Sequence, residues 1–239
     1  MQQAAIRFHS SLNDFLRKRQ KNQWNNYLFQ TPLSVKDAME ALGVPHVEIA
    51  KIIVNGNSKD FTYWLQHGDR AEAFPFETHF PETAPRAFVL DVHPGKLARL
   101  LRMLGINAVY QNLLDDSEIV AIAVAETRTV LTRDIGLLKH KVLRYGYWLR
   151  SQDPEQQLIE VLQGFSLCQA IRPFTRCIAC NGLLTAVSKT AVLPLLPAET
   201  KVVFDEFYQC IQCGKVYWKG SHYSHMQGQI QRLVSLACH

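Results

Sequence analysis

The spacing of apolar positions divides the chain into three segments. In the first, "AAIRFH" has β character, and "LSVKDAMEALG" places Val35, Ala38, Met39 and Leu42 at helical spacing between Ser34, a candidate N-cap, and Gly43, a stop. "AKIIVNGNSKDF" runs an apolar stretch into Asn55-Gly56, a strong hairpin signal, and "GDRAEAF" adds a strand after a Gly-Asp turn. Strand, strand, helix, strand, strand predicts an α+β domain of β-grasp type over residues 1–76. Pro75, Pro81 and Pro85 then predict a stiff, extended linker over 77–86.

In the second segment, 87–165, the spacing switches repeatedly. "AFVLDV", "NAVYQN" and "TVLTRD" have the character of short strands, while "PGKLARLLRMLG", "DDSEIVAIAVAETR" and "DPEQQLIEVLQGF" have that of helices. Pro94 opens the first of these helices and Gly105 closes it. Such alternation predicts an α/β domain with a mostly parallel sheet. Residues 166–239 carry all six cysteines and form the third segment.

Candidate chemistry follows from this layout. Binding crevices of parallel sheets lie beyond the carboxyl ends of the strands, where Asp91 and Asp134 would fall. Asp115 and Asp116 stand where a loop enters the next helix, so carboxylates from three places in the sequence could converge on one crevice. Converging carboxylates repel unless a cation neutralises them, and hard oxygen ligands suit Mg²⁺ or Mn²⁺. The chemistry such a site offers is metal-assisted phosphodiester hydrolysis. The same aspartates also serve commonly as helix caps, and spacing alone does not separate the two roles. Lys96, Arg99 and Arg102 recur every third residue, which predicts a basic helical face suited to a phosphate backbone or simply to solvent; Arg133 could contact phosphate or pair with a carboxylate.

Composition adds modest constraints. At 239 residues and 47% hydrophobic content the chain can build two or three real cores. A net charge of +5 permits a polyanionic partner without requiring one. The N-terminus lacks the pattern of a signal peptide, and the longest apolar run, Ile119 to Ala125, is too short for a membrane span, so a soluble cytoplasmic protein is expected. In that compartment "RCIAC" and "QCIQC" point to metal: Cys177, Cys180, Cys210 and Cys213 supply four thiolates for a closed tetrahedral Zn²⁺ site. Cys168 is expected as a small buried hydrophobe and Cys238 in a mobile tail. His222, following the second knuckle with Tyr217, Trp218 and Lys219 nearby, is a candidate RNA contact, the aromatic residues serving either to stack bases or to pack the cysteine module.

Two resemblances sharpen the picture. "VKDAMEALGVPH", "IIVNG" and "GDRAEAFPF" resemble the ubiquitin-like, sulfur-carrier-like β-grasp domain found ahead of certain bacterial nucleases. Sulfur carriers act through a free C-terminal Gly-Gly, whereas this segment continues into "PFETHFPETAPRA", so recruitment of a protein partner or of substrate is the expected use. "LDVHPGKLARLLRMLGINAVY", "DDSEI", "VLTRDIGLL" and the cysteine region resemble the Mut-seven-C family, a PIN-like ribonuclease domain with a zinc ribbon. That resemblance implies a PIN-like domain over 87–165 and a zinc ribbon with a C-terminal tail over 166–239. It also implies a metal-dependent ribonuclease in which Asp91, Asp116 and Asp134 match the acidic motif positions; Glu118, Glu126 and Asp153 compete for a fourth. "YWKGSH", which contains His222, resembles the closing motif of the family. An RNA-binding or adaptor protein without catalysis is the alternative.

Overall fold

The computed structural model describes residues 1–76 and 80–238. The first 76 residues form β1 (Gln2–Phe8), β2 (Asn25–Phe29), α1 (Val35–Leu42), β3 (Ile49–Val54), β4 (Asn57–Lys59) and β5 (Arg70–Pro75). From Phe80 onward come β6 (Phe88–Leu90), α2 (Gly95–Met103), β7 (Ala108–Val109), α3 (Asp116–Ala125), β8 (Thr129–Thr132), α4 (Ile135–Leu138), β9 (Gly146–Trp148) and α5 (Pro154–Gly164). The remainder adds β10 (Leu184–Val187), α6 (Lys189–Val192), α7 (Ala198–Val203), β11 (Phe207–Cys210), β12 (Val216–Trp218) and α8 (Ser221–Ala237). No described helix is long and apolar enough to cross a membrane.

Contacts group these elements into two compact units, and the grouping is not sequential. One unit joins the N-terminal elements to Asp134–Trp148; the other joins Phe80–Arg133 to the chain from Leu149 on.

In the first unit a five-stranded sheet has the order β2-β1-β5-β3-β4, with β1 and β5 parallel. Alternate residues of β1, namely Ala4, Ile6 and Phe8, point into the core, where α1 packs Val35, Ala38 and Met39. Ser34 caps α1 by accepting from the Asp37 N–H, and Gly43 at φ +121° ends it. Asn55 and Gly56 turn the β3–β4 hairpin with φ of +50° and +80°, the left-handed pair that matches strand twist.

Asp134–Trp148 is fastened to this unit by buried polar contacts. His46 Nε2 donates to the Leu143 carbonyl (2.8 Å), while its Nδ1 lies 2.5 Å from Glu40 Oε1. Glu48, itself buried, accepts from the Trp148 N–H at 2.6 Å, and Lys139 Nζ donates to the Glu40 carbonyl at 2.8 Å. Gly146 sits tightly there: a Cβ would come within 2.7 Å of Leu138 Cδ2 and 3.1 Å of Val47, so a larger residue requires those side chains to shift.

In the second unit β6 pairs in parallel with β7 on one side and β8 on the other, so the expected parallel α/β core is present. All three residues of β6 are buried, as parallel strands covered on both faces require. Phe165 lies edge-on to Phe88 and stacks on Phe80, and α5 packs against both α2 and α8. These contacts correct the expected linker. Residues 77–79 lie outside the described residues, but the rest of 77–86 is not extended: Phe80 N–H donates to the Gly164 carbonyl, Ala84 N–H turns back to Pro81, and Ala84 is buried.

The C-terminal stretch also departs from expectation. Cys168 and Cys238 are disulfide-bonded, so neither is an isolated thiol. The tail is the helix α8, which buries Ile230, Leu233 and Ala237 and pairs Arg232 with Glu155 at 2.7 Å.

Candidate metal centre and acidic residues

Two loops bring the cysteines together. Cys177 and Cys180 lie on the loop before β10, where Asn181 N–H closes back on the Cys177 carbonyl. Cys210 ends β11, and Gly214, at φ +72°, turns the second loop towards β12. The four Sγ atoms lie within 4.8 Å of one another, with Cys180–Cys210 at 3.4 Å and Cys177–Cys213 at 3.7 Å. A tetrahedral ion with bonds of about 2.3 Å needs S···S edges of about 3.8 Å, so the four could hold a metal such as zinc.

The surroundings favour a thiolate at Cys177 and oppose one at Cys180, whose thiol is pushed up to about 12 by burial and by the neighbouring cysteines. Burial pushes the Cys177 thiol up, but hydrogen bonds from the Tyr217 hydroxyl and the loop backbone outweigh it and bring it down to about 7. Backbone N–H groups of Gln212 and Cys213 point at Cys210 Sγ from 3.4 and 3.5 Å. A side chain at Gly182 would stand 2.7 Å from the same sulfur.

Arg102 explains how this module is held, and it corrects the basic face expected from sequence. Only 2% exposed, Arg102 donates to the carbonyls of Ala108 and Tyr110 beside it and of Ile178 and Ala179 between the first two cysteines. Four of its five N–H donors are thereby engaged and the side chain is buried, which takes it off the solvent-facing basic stripe. Asn181 makes a second tie, accepting from the Ala108 N–H and donating to Asn107. Replacing Arg102 by methionine is expected to lower stability by about 3 kcal/mol, because four carbonyls in buried or half-buried contacts lose a charged donor. Denaturant unfolding checks this, and an unchanged midpoint would rule out the clamp.

Lys96 and Arg99 remain on the solvent side of α2, exposed and without a side-chain partner among the described residues. Arg133 is half-buried, and its Nη1 is engaged by the carbonyls of Leu149, Arg150 and Ser151 at 2.9, 2.8 and 2.6 Å. His222 is exposed in the first turn of α8.

The acidic residues differ sharply from one another. Asp91 follows β6 and is 4% exposed; its Oδ2 accepts from the Thr132 hydroxyl and its Oδ1 from the His93 N–H at 2.7 Å. The His93 ring also reaches Oδ1, at 3.3 Å, with its side chain 74% exposed. Asp116 is exposed at the start of α3, with no hydrogen-bond or ionic partner among the described residues. Asp134, also exposed, caps α4 by accepting from the Gly136 N–H at 2.6 Å. Asp115 acts as a cap in a reciprocal box with Glu118.

Among the described residues, the four cysteines are a group of candidate ligands close enough to share an ion; Asp91 and Asp116 belong to one compact unit and Asp134 to the other. The competitors for a fourth position have structural duties: Glu118 in that box, Glu126 with Arg128, and Asp153 as cap of α5. His93 and Thr132 are the contacts of Asp91 that sequence reasoning missed. Their only signal was adjacency to Asp91 and to the "TRD" triplet.

Comparison with known families gives two matches. A family model described as Mut7-C RNAse domain matches residues 86–230, more than half of the chain, and one described as Mut7-C ubiquitin matches residues 1–80. Comparisons with curated proteins and with solved structures give no match.

Proposed function

The chain belongs to the Mut7-C RNase family, preceded by the ubiquitin-like domain of that family, and from this premise we propose that it is a divalent-metal-dependent ribonuclease. The observation that carries the reading is Asp91. A carboxylate 4% exposed, immediately beyond the central strand of a parallel sheet, is where α/β proteins place ligand-binding groups. The Thr132 hydroxyl and His93 N–H orient it as an anionic acceptor.

Mg²⁺ is ordinarily bound through one or two carboxylates together with waters and substrate phosphates. The donor set therefore fits an ion that arrives with RNA: Asp91 is the oriented ligand, and Asp116 and Asp134 are the further carboxylates that the family motifs assign. When bound, such an ion activates water and stabilises the leaving oxygen. Lys96 and Arg99 supply positive charge along α2 for the RNA backbone. The PIN-like fold and the zinc ribbon of the family accommodate this parallel sheet and the cysteine module, with Zn²⁺ in the ribbon. The ubiquitin-like domain, of β-grasp fold, recruits a protein partner.

The test is cleavage of end-labelled RNA by protein that retains its zinc, with Mg²⁺ or Mn²⁺ added or omitted. Metal-dependent products are expected. RNA binding without cleavage under every metal and substrate condition would replace the nuclease reading with that of an RNA-binding adaptor.

A further inference from the structure

Beside the cysteine module lies a cleft of about 340 Å³ whose walls include Phe174, Tyr208, Tyr217, Trp218 and Tyr223, with Lys219 at its margin. The hydrophobic core of this module is built from Val192, Leu196 and Phe207, and of the five aromatic residues of the cleft Trp218 is the one that packs against it. Tyr217 turns its hydroxyl to Cys177, which fixes its ring, and Lys215 Nζ stands 5.8 Å from that ring's centre.

The remaining polar groups are open. Among the described residues the Trp218 indole N–H and the Tyr208 and Tyr223 hydroxyls have no hydrogen-bond partner. Phe174 and Tyr223 meet with centroids 4.6 Å apart and planes tilted by 41°, a wedge rather than a closed stack. Lys219 pairs with exposed Glu206, a bridge that opens at little cost.

We propose that this cleft binds an unpaired base of single-stranded RNA, stacked on the aromatic side chains, with Lys219 against the adjoining phosphate. Aromatic surface satisfies any base, the open donors meet base-edge acceptors, and the cation meets the backbone. The proposal rests on the reading of the chain as RNA-acting and names where that RNA is held away from Asp91. Because Ile178, between the first two cysteines, also lines the cleft, the metal site is the frame of the pocket.

The experiment measures binding of an oligouridylate of about eight nucleotides and of an abasic strand of equal length, to the zinc-loaded full chain carrying Asp91→Asn. The oligouridylate is expected to bind roughly tenfold or more tightly than the abasic strand. Tyr223→Ala should remove most of that difference while leaving abasic binding unchanged, with zinc content and unfolding midpoint as controls for folding. Tyr208→Ala gives an independent reading if Tyr223→Ala misfolds. Equal affinity for both strands, or a full difference retained in folded variants, would overturn the proposal. Failure of the nuclease reading is distinguishable, since it would abolish wild-type cleavage yet leave the difference between the strands intact.

Discussion

Serine in place of Cys180 or Cys210, or treatment with a strong chelator, is expected to unfold the β10–β12 module. The apolar core of this module is small, consisting of Val192, Leu196 and Phe207 with a few half-buried neighbours, and cannot hold a three-stranded sheet by itself. Structural zinc contributes on the order of 10 kcal/mol to such folds at neutral pH, so loss of one thiolate removes much of what keeps the module ordered. The effect should spread to α2, because Arg102 and Asn181 join the cysteine loop to β7. Zinc stoichiometry and near-ultraviolet circular dichroism test this together. One ion per chain in the wild type and none in the variant are expected; a metal-free variant with an unchanged spectrum would refute a structural role.

Asparagine at position 91 is expected to slow metal-dependent RNA cleavage on the order of a thousandfold, as losses of single catalytic groups often do. The substitution is nearly isosteric. The amide oxygen still accepts from the His93 N–H, so the change in stability should be a small part of the total, on the order of 1 kcal/mol. What disappears is the negative charge. Single-turnover cleavage, with thermal unfolding as control, separates the two effects. A folded variant that cleaves at the wild-type rate would remove Asp91 from the catalytic machinery.

Local chemistry made much of this fold legible. Ser34 and Gly43 bound α1, Asn55-Gly56 turns its hairpin, and the two cysteine pairs lie where thiolates can share an ion. The errors arose where distant contacts overrule local pattern. A spacing of three residues lags a 3.6-residue turn by about 60° each step, so Arg102 has rotated roughly 120° away from Lys96 and faces the interior. Proline spacing suggested an extended linker, yet Phe80 finds Phe165 to stack upon. The pairing of Cys168 with Cys238, separated by 70 residues, has no local signature. For the acidic residues sequence could offer two roles, and the structure gives Asp115 and Asp134 capping hydrogen bonds while burying Asp91.

The attachment of Asp134–Trp148 to the N-terminal unit changes how deletions of this gene should be interpreted. A truncation at the apparent domain boundary near residue 80 would remove Glu48 from the Trp148 N–H and His46 from the Leu143 carbonyl. The surviving fragment would carry Asp134 on a segment stripped of its buried partners. Loss of activity after such a cut would therefore report a missing scaffold as readily as a missing recruitment domain. Point substitutions at the exposed side chains of Leu28 or Trp64 spare that scaffold and give the cleaner genetic probe of partner binding.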